Sequence, residues 1–134
     1  SEEVSVDVNK EDQDRINTFS CKTTELHELE AELVTKREEI EALDDAVAAL
    51  YESEDDTAPL MVGESIIILP RMETIEKVEE MSEKVTAECS ALEETITGLK
   101  TELAELKVAL YAKFKNSINL EEDQTLFKPI KQSY

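Results

Sequence analysis

Two glycines, one histidine and two cysteines are all this chain holds of the residue types that build most phosphate loops, metal sites and nucleophilic centres. With so little glycine there is no glycine-rich loop to cradle a phosphate. His27 stands alone, and no Cys–His spacing matches a zinc site. Carboxylates are abundant, yet nothing in their spacing marks a buried, desolvated pair. No catalytic, cofactor-binding or metal-ligating residue is therefore assigned, no cofactor is expected, and the chain reads as not an enzyme. Basic residues are the minority, 14 against 33 acidic, for a formal net charge of -19. A polyanion of that charge is repelled by nucleic-acid phosphates and by anionic membrane surfaces, so neither is an expected partner. No apolar run reaches membrane-spanning length and no secretory signal is visible, so a soluble intracellular protein is expected.

What is present is Ala, Glu, Lys and Leu, the composition of long helices, interrupted once. Residues 57 to 70, TAPLMVGESIIILP, are short, apolar and β-branched. Gly63 and Glu64 form a two-residue loop, with glycine where a type II′ turn needs φ > 0. The hairpin spans 58–69, with Leu60, Met61 and Val62 in one arm and Ser65, Ile66, Ile67, Ile68 and Leu69 in the other. Pro59 and Pro70 are expected at the strand ends, because proline cannot donate to a ladder. Ile66 to Leu69 do not alternate with polar residues, the pattern of a strand covered on both faces. A lone hairpin is marginal in water and its edges invite pairing. Either hairpins from several copies or homologues merge into a shared sheet or barrel, with Leu60, Met61, Val62, Gly63, Ile66, Ile67, Ile68 and Leu69 as the oligomerisation surface, or the hairpin folds back on its own helices.

On either side the apolar residues step by three and four. Leu26, Leu29, Leu33, Lys36, Ile40, Leu43, Val47 and Leu50 form one seam. Ile75, Val78, Ser82, Val85, Cys89, Leu92, Ile96, Leu99, Leu103, Leu106, Leu110 and Lys113 form the other. Sustained alternation of this kind is a coiled coil. The fold class is thus mainly α: a long antiparallel two-helix coiled coil, with helices at about 9–51 and 71–118, one central β-hairpin, and a tail at 119–134, all in one domain. Helices of that size are roughly 60 and 70 Å long. Asn9 is the expected N-cap of the first, with Glu11 and Asp12 in its first turn. Residues 1–8 are either a short strand or a mobile arm.

Folding back near residue 62 makes facing residue numbers sum to about 123, which offsets Cys21 from Cys89 by about 13 residues, or roughly 20 Å along the axis. A disulfide is excluded at that distance, and both cysteines are expected as free thiols, Cys89 on the seam. Asp44, Asp45 and the acidic connector Glu52 to Asp56 crowd the C-terminus of the first helix, where negative charge is unfavourable. Basic groups of a neighbouring subunit are one way to offset it; a solvated loop is the other. At the opposite end, Leu110, Tyr111, Phe114, Ile118 and Leu120 lie at or past the start of the first helix, near Ile16 and Phe19, and are expected to have few partners of their own. They form either a binding surface for a client protein or a cap on the coiled-coil end against Val4, Val6 and Val8.

Three stretches resemble prefoldin subunits of the β type. Glu11-Asp12-Gln13-Asp14-Arg15-Ile16-Asn17-Thr18-Phe19 is similar to that family's EDQ-x-x-IN-x-F opening, and Val62-Gly63-Glu64-Ser65-Ile66-Ile67-Ile68 to its single hairpin. Leu110-Tyr111-Ala112-Lys113-Phe114 with Ile118-Asn119-Leu120-Glu121 is similar to its LYAKFG…INLE ending. The resemblance spans about residues 4 to 121. Lys115 stands where the family usually has glycine, and the tail from Asp123 to Tyr134 has no counterpart. The resemblance implies a heterohexamer whose hairpins build a double β-barrel body carrying six coiled-coil arms. It implies that the arm tips hold nonnative proteins such as actin and tubulin for the cytosolic chaperonin, without nucleotide, in the cytoplasm and in mixed complexes in the nucleus. The rival reading is a structural coiled-coil subunit of a scaffold or tethering complex without chaperone activity. The central hairpin tells against it, since a scaffold seldom interrupts a coiled coil with one.

Overall fold

The computed structural model describes residues 9–114. Two helices flank one hairpin in the order α1 (Lys10–Glu52), β1 (Thr57–Val62), β2 (Ser65–Pro70) and α2 (Arg71–Phe114). The expected strand or arm at 1–8, the end of the second helix past Phe114 and the tail 119–134 lie outside the described residues. Among the described residues there are two compact units, one of 9–30 with 94–114 and one of Ala31–Glu93.

In each unit α1 and α2 run antiparallel, joined by the predicted seams. In the first, Asp12, Lys22 and Glu30 meet Lys113, Glu102 and Lys100 in turn. In the second, Lys36 and Asp44 meet Glu88 and Ser82. The buried seam residues include Leu33, Val78, Val85 and Cys89 in the second unit and Ile96, Leu99 and Leu110 in the first. Their three-and-four spacing puts them on one helix face, and the charged residues between them stay in water. Both cysteines are free, Cys89 buried and Cys21 exposed. Lys36 is accommodated as a polar seam position by reaching Glu88 Oε1 at 2.9 Å. That contact raises the Lys36 pKa and lowers that of Glu88, through the hydrogen bond first.

α1 opens on a reciprocal cap. The Asp12 N–H donates to Asn9 Oδ1 (2.8 Å), and the Asn9 N–H donates to Asp12 Oδ2 (3.4 Å). This is the capping-box arrangement built from Asn and Asp, and it satisfies two otherwise orphaned donors. The other end of α1 has no basic residue in its last turn. A cation reaches it from within the chain. Arg71 Nη1 donates to the Leu50 carbonyl (3.0 Å), and Nε to that of Asp55 (2.8 Å). The Arg71 N–H donates to the Asp56 carbonyl (2.9 Å). One side chain at the start of α2 thus closes the acidic end of α1.

The hairpin register runs from Val62↔Ser65 through Met61↔Ile66, Leu60↔Ile67, Pro59↔Ile68 and Ala58↔Leu69 to Thr57↔Pro70. Gly63 has φ +63°, as the first position of the loop requires. Pro59 is not at a strand end, as expected from the sequence, but third in a strand that begins at Thr57. The register explains why it is tolerated. A two-residue loop is closed by a hydrogen-bonded pair, so Val62↔Ser65 and Leu60↔Ile67 exchange bonds while Pro59↔Ile68 does not. The Pro59 nitrogen points away from β2, and no ladder bond is lost.

Candidate functional site

Two surfaces carry the residues singled out in the sequence: the hairpin in the second unit and the helix end in the first.

In an antiparallel pair, residues facing each other across the ladder share a side of the sheet. Ala58, Leu60 and Val62 therefore lie with Leu69, Ile67 and Ser65 on one face, and Pro59 and Met61 lie with Ile68 and Ile66 on the other. The first face is partly covered. Ala58 is buried, Leu60 and Leu69 are half-buried, and the Thr74 hydroxyl of α2 donates to the Ala58 carbonyl at 3.1 Å. Thr74 is itself buried, so that bond satisfies a polar group that would otherwise be costly. The second face is open: Met61 is 64%, Ile66 60% and Ile68 63% exposed. Val62 and Ile67 are exposed as well. No charged residue occurs between Ser65 and Pro70. An uncharged, β-branched, two-stranded sheet with an open apolar face is a candidate protein–protein contact.

At the helix end the structure brings together three of the predicted residues and buries them. Phe19, Leu110 and Phe114 form a core cluster, with Ile16, Leu103 and Leu106 packed against it. The expectation that Leu110 and Phe114 would have few partners is corrected: Phe19 is buried in one cluster with them, and Ile16 packs against it. Tyr111 is exposed, as is Val108 one turn before it. Ile118 and Leu120 lie outside the described residues. Beside the cluster Asp12, only 2% exposed, accepts from Lys113 Nζ at 3.0 Å and pairs with Arg15 Nη1 at 3.5 Å. The Lys113 hydrogen bond, with the cap from Asn9 and the two cations, holds the Asp12 carboxyl below its ordinary value against the opposing effect of burial.

Three functional supports were not picked out from sequence. Asp12 reads from the sequence as a dipole partner, and Asn9-x-x-Asp12 is also a capping-box signal. Arg71 had a signal too, since no lysine or arginine lies between Arg37 and Arg71. Thr74 had none, because its partner is a backbone carbonyl 16 residues away. Among the described residues no cluster of His, Cys, Asp or Glu is arranged to hold a metal ion. No helix among them is long and apolar enough to cross a membrane.

Comparison with known proteins points to one family. A family model described as "Prefoldin subunit" matches residues 13–117. The chain is 37% identical over 122 residues to prefoldin subunit 4 of Bos taurus, covering 90% of this chain and 91% of that protein. The Homo sapiens prefoldin subunit 4 is matched with the same identity and coverage. Prefoldin subunit 4 of Saccharomyces cerevisiae is 33% identical over 112 residues, covering 83% of this chain and 87% of that protein.

Proposed function

This chain belongs to the prefoldin subunit family, and from that membership we propose that it uses its hairpin to join other prefoldin subunits and its helix end to hold nonnative client proteins. As a prefoldin subunit it is a non-enzymatic component of a chaperone complex. The finer assignment is a heterohexamer in which Leu60, Met61, Val62, Gly63, Ile66, Ile67, Ile68 and Leu69 enter a shared β-barrel body. The clients are nonnative actin and tubulin, delivered to the cytosolic chaperonin without nucleotide. The site of action is the cytoplasm, with the nucleus as a second location.

The observation that carries this reading is the open apolar face of the hairpin, with Met61, Ile66 and Ile68 each more than half exposed. Burying those side chains in a common body removes the liability of a bare sheet and yields assembly free energy at about 25 cal/mol per Å² of apolar surface. At the helix end, Tyr111 and Val108 provide the exposed apolar contact, while Phe19, Leu110 and Phe114 form a buried cluster at the same end. Contacts of this size are weak one at a time. Several around one cavity hold a client by raising effective concentration. The net charge of -19 keeps such an assembly soluble and keeps clients from collapsing along the helices.

The test is a reconstituted complex carrying Val108→Glu with Tyr111→Glu. Denatured actin is diluted into it and aggregation followed by light scattering. The double variant should assemble normally and lose a substantial share of its protection. Full protection by an assembled variant would remove the helix end from client binding. A wild-type chain that assembles with no other prefoldin subunit would remove the hexamer assignment.

A further inference from the structure

The two edges of the hairpin are not equivalent, and the difference follows from where the prolines fall in the register. Val62↔Ser65, Leu60↔Ile67 and Ala58↔Leu69 are the pairs that exchange ladder bonds, so their N–H and C=O groups point inward. The outward groups belong to the alternate residues: Thr57, Pro59 and Met61 on β1, and Ile66, Ile68 and Pro70 on β2. On β1 the central outward donor is missing, because Pro59 has no N–H. The remaining donors, on Thr57 and Met61, are four residues apart, roughly 13 Å along a strand. On β2 the missing donor falls on the last residue, Pro70, and Ile66 and Ile68 present two successive N–H and C=O sets one repeat apart. Among the described residues no backbone hydrogen bond outside the hairpin ladder engages Ile66 or Ile68.

We infer that β2 is the strong seam of the assembly: an extended strand of a neighbouring prefoldin subunit lays a full antiparallel ladder along Ile66 and Ile68, while β1 forms a weaker seam with a missing rung at Pro59. This rests on the family assignment and on the hairpin as assembly surface, and adds which edge carries the ladder. The same residues that offer the outward backbone carry the open apolar face, so one incoming strand satisfies the Ile66 and Ile68 amides and starts to cover Ile66, Ile68 and Met61 together. The occupant is a strand because a row of outward donors and acceptors is complementary to another extended backbone. It is apolar because β2 bears no charge. It comes from another subunit of the same family, as the proposed assembly requires.

Hydrogen–deuterium exchange at single-residue resolution, on the full chain alone and in the reconstituted complex, tests this without any substitution. On assembly the Ile66 and Ile68 amides should slow by about 100-fold or more, and by at least about tenfold more than the Met61 and Thr57 amides. Equal slowing on both edges, or more on β1, overturns the edge assignment and leaves assembly through the hairpin standing. A complex that forms with neither edge slowed overturns both, because the hairpin would then not be the joint.

Discussion

Removing the Arg71 side chain should cost this chain about 2 kcal/mol. Two side-chain hydrogen bonds are lost, to the Leu50 carbonyl at 3.0 Å and the Asp55 carbonyl at 2.8 Å. A bond from a charged donor is generally worth about 1.5–3 kcal/mol, but these two differ in what replaces them. The Leu50 bond is part-buried, so in Arg71→Met that carbonyl is left poorly solvated and about 1.5 kcal/mol is lost. The Asp55 bond is exposed, so water takes over and the loss is nearer 0.5 kcal/mol, an order-of-magnitude figure. Dipole terms nearly cancel, because the cation sits favourably at the end of α1 and unfavourably at the start of α2. The bond from the Arg71 N–H to the Asp56 carbonyl survives, being backbone. For a chain of this size 2 kcal/mol corresponds to a melting temperature lower by about 7 °C. Arg71→Lys should fall between, since an ammonium on a flexible stem does not reproduce the fork. Thermal unfolding of the isolated chain followed by helical circular dichroism measures all three proteins. Because the acceptors are carbonyls and not carboxylates, the deficit should persist in 1 M salt, roughly a 3 Å screening length. A melting temperature within about 2 °C of wild type would refute the proposal that Arg71 closes the end of α1.

The remaining predictions concern the cap and the two glycines. Asp12 has a depressed pKa in the folded chain, chiefly from the Lys113 hydrogen bond. Its contribution is therefore present above the unfolded value of about 3.9 and is lost as pH falls through the lower folded value. Asp12→Asn should melt lower than wild type at pH 6, and the gap should close towards pH 2, as read from unfolding curves across that range. Gly98 lies within α2 with nothing within 4 Å of where a Cβ would stand, so Gly98→Ala should stabilise by about 0.5–1 kcal/mol in urea unfolding. Gly63 has equal room but φ +63°, and Gly63→Ala should destabilise by about 1 kcal/mol in the same assay.

The helices, the seam and the turn were legible because each is encoded locally. A helix face repeats every three or four residues and a strand face every two, so Leu26 to Leu50 and Ile75 to Leu110 declare their buried side without reference to anything distant. Gly63 is equally local, since only its own φ decides whether glycine is needed. The tertiary structure decided what depends on pairs far apart in the chain. It set the register, which placed Pro59 inside β1 with its nitrogen outward and left Met61, Ile66 and Ile68 together on the open face. It brought Arg71 to the carbonyl of Leu50, 21 residues back, and the Thr74 hydroxyl to Ala58. It buried Leu110 and Phe114 against Phe19, and Asp12 beneath Lys113. None of these has a period. Each follows from where two segments meet, and that meeting point is set by the summed packing of the whole seam rather than by any residue within it.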